Sequence, residues 1–184
     1  MKFKALLEQM AACEHAIAWV GEKAMHEAWE TCERGDWMLW FYAKYRPEDL
    51  KGLTLVKGHV ANTVRHLMTD QRSTYAVDTA IAFGEGKVGI DQLDIGRRDA
   101  AMCALGWAAK AAYYACDIRG YATTVDFVAC AIYEACAVSG SCAVSGSYDD
   151  FLSALQVKKD SFKNSADLCR QYLNLGELNE IDKT

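Results

Sequence analysis

The stretch Glu27-Ala28-Trp29-Glu30-Thr31-Cys32-Glu33-Arg34-Gly35-Asp36-Trp37-Met38-Leu39-Trp40 reads as the end of one helix and the start of the next. Three tryptophans flank an Arg-Gly-Asp turn. Gly35 is expected to take the left-handed conformation that closes a helix, and Asp36 to cap the following helix with its carboxylate. Such a corner fixes the angle between two helices and leaves Arg34 beside a wall of indole rings. Trp37 and Trp40 share one helix face and are expected inside, whereas Trp29 is expected to edge a groove.

The pattern on either side of this corner is helical. Phe3, Leu6, Leu7, Met10, Cys13, Ile17 and Val20 recur at three- and four-residue intervals, which predicts one helix from about Lys2 to Val20. A second spans about Lys23 to Glu33. A third runs from Asp36 to near Tyr45, because Pro47 disfavours helix at the residue before it. Pro47-Glu48-Asp49 opens a fourth with a proline and two acids suited to a first turn, and the pattern carries it to about Met68. Thr69-Asp70-Gln71 interrupts, and a fifth helix covers Ser73 to Phe83. Ile90 to about Ile118 reads as one long segment closed by Gly120, and a last helix is expected over Tyr148 to Tyr172. No segment alternates with strand period and no linker divides the chain. The expectation is an all-α, single-domain compact bundle of about seven to eight helices over 1–184, with an Ala/Cys-rich half at 87–184.

Composition narrows the classes further. The chain has 184 residues, one proline and a net charge of -5, which argues against a general DNA or RNA binder needing a basic face. The apolar stretches around Ala100–Cys116 and 121–138 are broken by Lys110, Asp126 and Glu134, short of the roughly 20 apolar residues a membrane span needs. The first residues carry no long apolar run, so a cytoplasmic setting is expected, bacterial or, for a phage-encoded protein, in the host. The eight cysteines include no Cys-x-x-Cys pair. Cys130, Cys136 and Cys142 stand six apart, which turns their thiols to different faces of a helix and defeats a shared metal site. Reduced core cysteines are expected, with no metal or cofactor. A tandem Cys-Ala-Val-Ser-Gly-Ser repeat at 136–147 is read as a loop or an extended helix end. Alanine-rich helices are compatible with a homodimer or higher homo-oligomer.

The best polar constellation is Lys57-Gly58-His59-Val60-Ala61-Asn62-Thr63-Val64-Arg65-His66. At about 100° per residue on one continuous helix, His59, Asn62 and His66 fall within roughly 60°, with Arg65 at the edge. Such donors suit a phosphate or carboxylate; the alternative is histidines bonded to helix ends and Arg65 paired with an acid. Gly84-Glu85-Gly86-Lys87-Val88 lacks the spacing and hydroxyl of a phosphate loop. His-Glu-x-x-His and Gly-x-Ser-x-Gly are both missing, so an enzyme is not expected.

The chain resembles the immunity-protein-five-like family of bacteria and phages. The matching residues are Glu27-Ala28-Trp29 and Cys32 through Trp40, then Lys57-Gly58-His59 and Ala61 through Met68. Ala80 through Gly86, Lys158-Lys159 and Ala166 through Tyr172 complete the match. The likeness is strongest over 27–86, and the Ala-rich middle departs from the family's runs. It implies an all-helical, non-enzymatic protein that neutralises something. The expected function is therefore counter-defence: sequestration of a small anionic, nucleotide-like signal by Trp29, Arg34, His59, Asn62, Arg65 and His66, provided the second and fourth helices are neighbours. An immunity protein that blocks a toxin by direct contact is the alternative, and a nucleotide hydrolase is the third reading.

Overall fold

A computed structural model describes residues 2–120, 122–138 and 148–175. Among these residues every regular element is helical: α1 (Phe3–Gln9), α2 (Glu14–Val20), α3 (Met25–Thr31), α4 (Gly35–Tyr45), α5 (Leu50–Asn62), α6 (Gln71–Gly84), α7 (Ile90–Ala101), α8 (Trp107–Cys116), α9 (Thr123–Val138) and α10 (Tyr148–Tyr172), with a 3-10 turn at Arg65–Leu67. The all-α class is as expected, with ten α-helices rather than seven to eight. None is long and apolar enough to cross a membrane. The repeat residues at 139–147 lie outside the described part.

Three expected helices are shorter than their periodicity suggested, each for a local reason. The first breaks after Gln9, where Ala11 adopts φ +57°. The Ala12 amide donates to the Leu7 carbonyl and the Ala11 amide to Glu8, both at 3.0 Å, a Schellman closure with alanine in the place glycine usually takes. The fourth expected helix begins at Leu50, with Asp49 as its cap accepting from the Gly52 amide at 2.9 Å. It ends at Asn62, where the Thr63 hydroxyl donates to the Val60 carbonyl at 2.7 Å and backbone bonds shorten to i→i+3. The long segment from Ile90 divides at 102–106, with Gly106 as the extended residue that precedes α8.

The centre of the molecule is α5, which packs against α6, α8, α9 and α10. It runs antiparallel to α6, with Gly58 beside Ile81 and Gly84 beside Leu55. A β-carbon on Gly84 would lie 2.4 Å from Leu55 Cβ, so these glycines let the two backbones approach. Leu53, Val56, Val60 and Ala61 of α5, with Val64 just beyond it, are fully buried. α10 closes the other side against α9 and α4.

The Arg-Gly-Asp corner differs from its expected form. Gly35 is the first residue of α4 and is not left-handed; Arg34 stands at the N-cap position. A β-carbon on Gly35 would meet Ser165 Cβ at 2.5 Å and the Ala166 amide nitrogen at 2.8 Å. Gly35 is thus the seat of α10. Asp36 caps nothing: its carboxylate takes both arms of Arg34, at 2.8 and 2.6 Å. The end of α3 is closed instead by Arg170 of α10, whose guanidinium donates to the carbonyls of Trp29 at 3.0 Å and Cys32 at 2.8 Å.

Candidate functional site

The short helices α1 to α3 cannot bury their apolar faces on one another alone, and they lean on α4 around a cavity of about 350 Å³. Its wall carries Trp19 from α2, Trp29 from α3, and Trp37 and Trp40 from α4, with Phe3, Phe41, Met25 and Met38 completing it. The rings interlock. Trp19 meets Trp37 edge-on at 6.2 Å, and Trp29 lies 6.2 Å from Tyr42. Trp29 is buried yet lines the cavity, while Trp37 and Trp40, expected inside, are half-buried and line it too. The reason is that α4 gives its inner face to Met38, Leu39, Phe41 and Tyr42, which leaves the two indoles to line the cavity.

Among the described residues one charged residue lines this space, Asp36, its side chain 10% exposed. Its partner Arg34 lies outside the lining, with its guanidinium 4.5 Å from the ring centres of both Trp37 and Phe162. The bond to Asp36 holds the Arg34 guanidinium above its ordinary range. Asp126 of α9 stands near the same corner; loss of hydration, then the Asp36 carboxylate, push it above the usual carboxylate range, although the residue keeps an exposed edge. Cys32, also in the lining, is pushed up by burial. Its sulfur accepts from the Arg34 amide at 3.4 Å.

Of the six residues expected to form one site, Trp29 lines this cavity, Arg34 stands just outside it against Trp37 and Phe162, and the other four stand elsewhere. His59 is half-buried on α5, stacked on Tyr172 at 4.2 Å with rings nearly parallel, and burial lowers its pKa. Asn62 and His66 are exposed. Arg65 is committed to Asp78 of α6 through two bonds, at 2.5 and 2.8 Å. Since α5 ends at Asn62, the helical arc that aligned His59 with His66 does not exist. α3 and α5 are not among the principal packed pairs.

The residue that sequence reading passed over is Lys57. It is fully buried, as are Val56, Val60 and Ala61 of the same helix, and its ammonium donates to the carbonyl of Tyr114 at 3.3 Å and to that of Asp117. These carbonyls end α8, where the helix dipole favours a cation. Burial pulls its pKa down to about 8. A second groove, between the 102–106 connection and α9, is edged by Arg72, Cys103, Trp107 and Glu134. Met102 and Leu105 beside it are 76% and 93% exposed. Among the described residues, no group of three His, Cys, Asp or Glu is placed to hold a metal.

No protein-family model, no curated protein and no solved structure matches the chain.

Proposed function

We propose that this chain is a non-catalytic binding protein that sequesters a small ring-bearing molecule in the cavity between α1 and α4. One observation carries the reading: four tryptophans from three helices line a single space of about 350 Å³, a volume within the range of small-ligand sites. A recess open to solvent and walled by aromatic rings from several helices is the concave, mostly apolar surface that small-ligand sites use. Sequestration also fits the neutralising role implied by the immunity-protein-five-like resemblance. The imidazoles and Arg65 that were to hold an anion stand away from the cavity, and Arg34 turns its charge to Asp36.

The test uses the wall itself. N-phenyl-1-naphthylamine, an uncharged planar fluorophore, should gain fluorescence on binding and quench the tryptophans. Ala16→Trp, on the lining of α2, should fill the space and abolish the response while leaving the circular dichroism unchanged. Equal probe affinity in wild type and Ala16→Trp would sink the proposal. A second reading, contact inhibition of a toxin, draws on Met102 and Leu105, exposed together along one groove, since clustered exposed apolar side chains mark interaction surfaces. A blocker acting through that connection requires no probe affinity in the cavity.

A further inference from the structure

The charges at the α3–α4 corner are sorted by position. Asp36 is among the residues that line the cavity, whereas among the described residues no lysine, arginine or histidine is. Arg34 and Lys158 stand outside, against Phe162. An anion entering this space meets a like charge and, among the described lining residues, only neutral indole N–H and thiol groups as donors, with no cation to offset its lost hydration. A cation meets the opposite. Indole faces attract cations through the ring quadrupole, and the chain already uses two of these indoles that way: Lys23 Nζ lies 4.6 Å from the Trp19 ring centre, and the Arg34 guanidinium 4.5 Å from that of Trp37. Each Asp36 oxygen accepts one bond from Arg34 and retains a second acceptor position.

We infer that the cavity is selective for organic cations, a planar or alkyl body carrying an ammonium group that docks on Asp36 among the indoles. The inference rests on the cavity being a ligand site and adds the class of ligand. Three molecules sharing one ring separate it from that premise: indole, tryptamine and indole-3-acetate, neutral, cationic and anionic near neutral pH. Each is titrated directly into the full-length protein by calorimetry.

Tryptamine should bind roughly five- to tenfold more tightly than indole, the size expected of a partly desolvated cation–π and carboxylate contact, and indole-3-acetate more weakly than either. Asp36→Asn should erase the preference and keep indole binding. Arg34→Met should act in the opposite sense, strengthening tryptamine severalfold by releasing Asp36; an unfolded variant cannot give a gain. Equal affinities for the three, or tightest binding by indole-3-acetate, would overturn the cation assignment and leave the cavity as a neutral-ligand site. Preference unchanged in Asp36→Asn would overturn the role of that carboxylate. Absence of heat with all three would overturn the cavity as a ligand site along with the inference.

Discussion

Replacing Lys57 with Met tests whether the fold carries a buried charge at its centre. In the wild type, burial lowers the ammonium's pKa from 10.5 to about 8, so at neutral pH the folded state holds a proton that it binds less tightly than the unfolded chain does. For a base with a depressed folded pKa, the handicap is present in full below the folded value. It is relieved as pH rises and is gone above the unfolded value. The window is therefore about pH 8 to 10.5, and within it this group makes stability rise with pH. At 1.36 kcal/mol per tenfold change, the whole interval amounts to about 3 kcal/mol, of which about 2.5 kcal/mol falls between about pH 7 and pH 10.

Other buried groups push the other way. Burial raises the Cys116 thiol to about 12, and the Cys169 thiol and Tyr42 phenol are also raised. Unfolded thiols ionise first, so stability from these groups falls with rising pH. They are shared by both proteins and largely cancel in a difference. The assay is urea denaturation of wild type and Lys57→Met in reductant, followed by circular dichroism from pH 7 to pH 10. Lys57→Met also strands the carbonyls of Tyr114 and Asp117, at a cost of about 1–3 kcal/mol each, but that offset hardly varies with pH. The stability of wild type relative to the variant should climb by about 2.5 kcal/mol across the range. A difference flat to within about 0.5 kcal/mol, or one that declines, would show that the ammonium is not buried as described.

Two substitutions address the corners that set the cavity. Ala11→Gly should stabilise the protein by up to about 1 kcal/mol, since a left-handed alanine costs about that much and glycine does not; urea titration showing no gain would mean that the Ala11 turn is not held at positive φ. Gly35→Ala should destabilise by about 1–3 kcal/mol, because its methyl would enter the space of Ser165 on α10; a loss below about 0.5 kcal/mol would show α4 and α10 to be looser than their contact distances imply.

Much of the fold was legible because helix is a local matter. α4 and α6 lie close to their expected bounds, and the breaks after Tyr45 and before Gln71 followed from Pro47 and Asp70. What periodicity could not show was interruption without change of face: Ala11 ends α1 while the apolar pattern runs on, and no glycine marks the spot. The same blindness made α5 too long and drew His66 into an arc with His59. Gly35 was misread because a glycine after a polar turn signals a helix end, whereas here its missing side chain serves a long-range contact with α10. Lys57 did leave a trace. It sits three and four residues from Val60, Ala61 and Leu53, on the apolar stripe, where a lysine is out of place unless it has partners inside. Its partners, at the end of α8, are some sixty residues away and invisible to spacing.

The guanidiniums decide how an acidic protein of this kind meets a ligand. Arg34 pairs with Asp36, Arg46 with Glu48, Arg65 with Asp78, Arg72 with Asp70, Arg97 with Asp94 and Arg170 with Asp167. Most of these pairs are at the surface and individually contribute at most about 1 kcal/mol, so stability alone does not account for them. Their common effect is to answer each cation locally, often within two or three residues, before it can serve a phosphate. An anionic ligand would have to displace a carboxylate from its arginine at a half-exposed position and would recover little in water. Inside the cavity the balance differs, because apolar walls strengthen any charge contact that forms and penalise any that does not. Among the described residues Asp36 is the one charged residue of the cavity lining, so the sign of the proposed ligand follows from Asp36 rather than from the number of arginines in the chain.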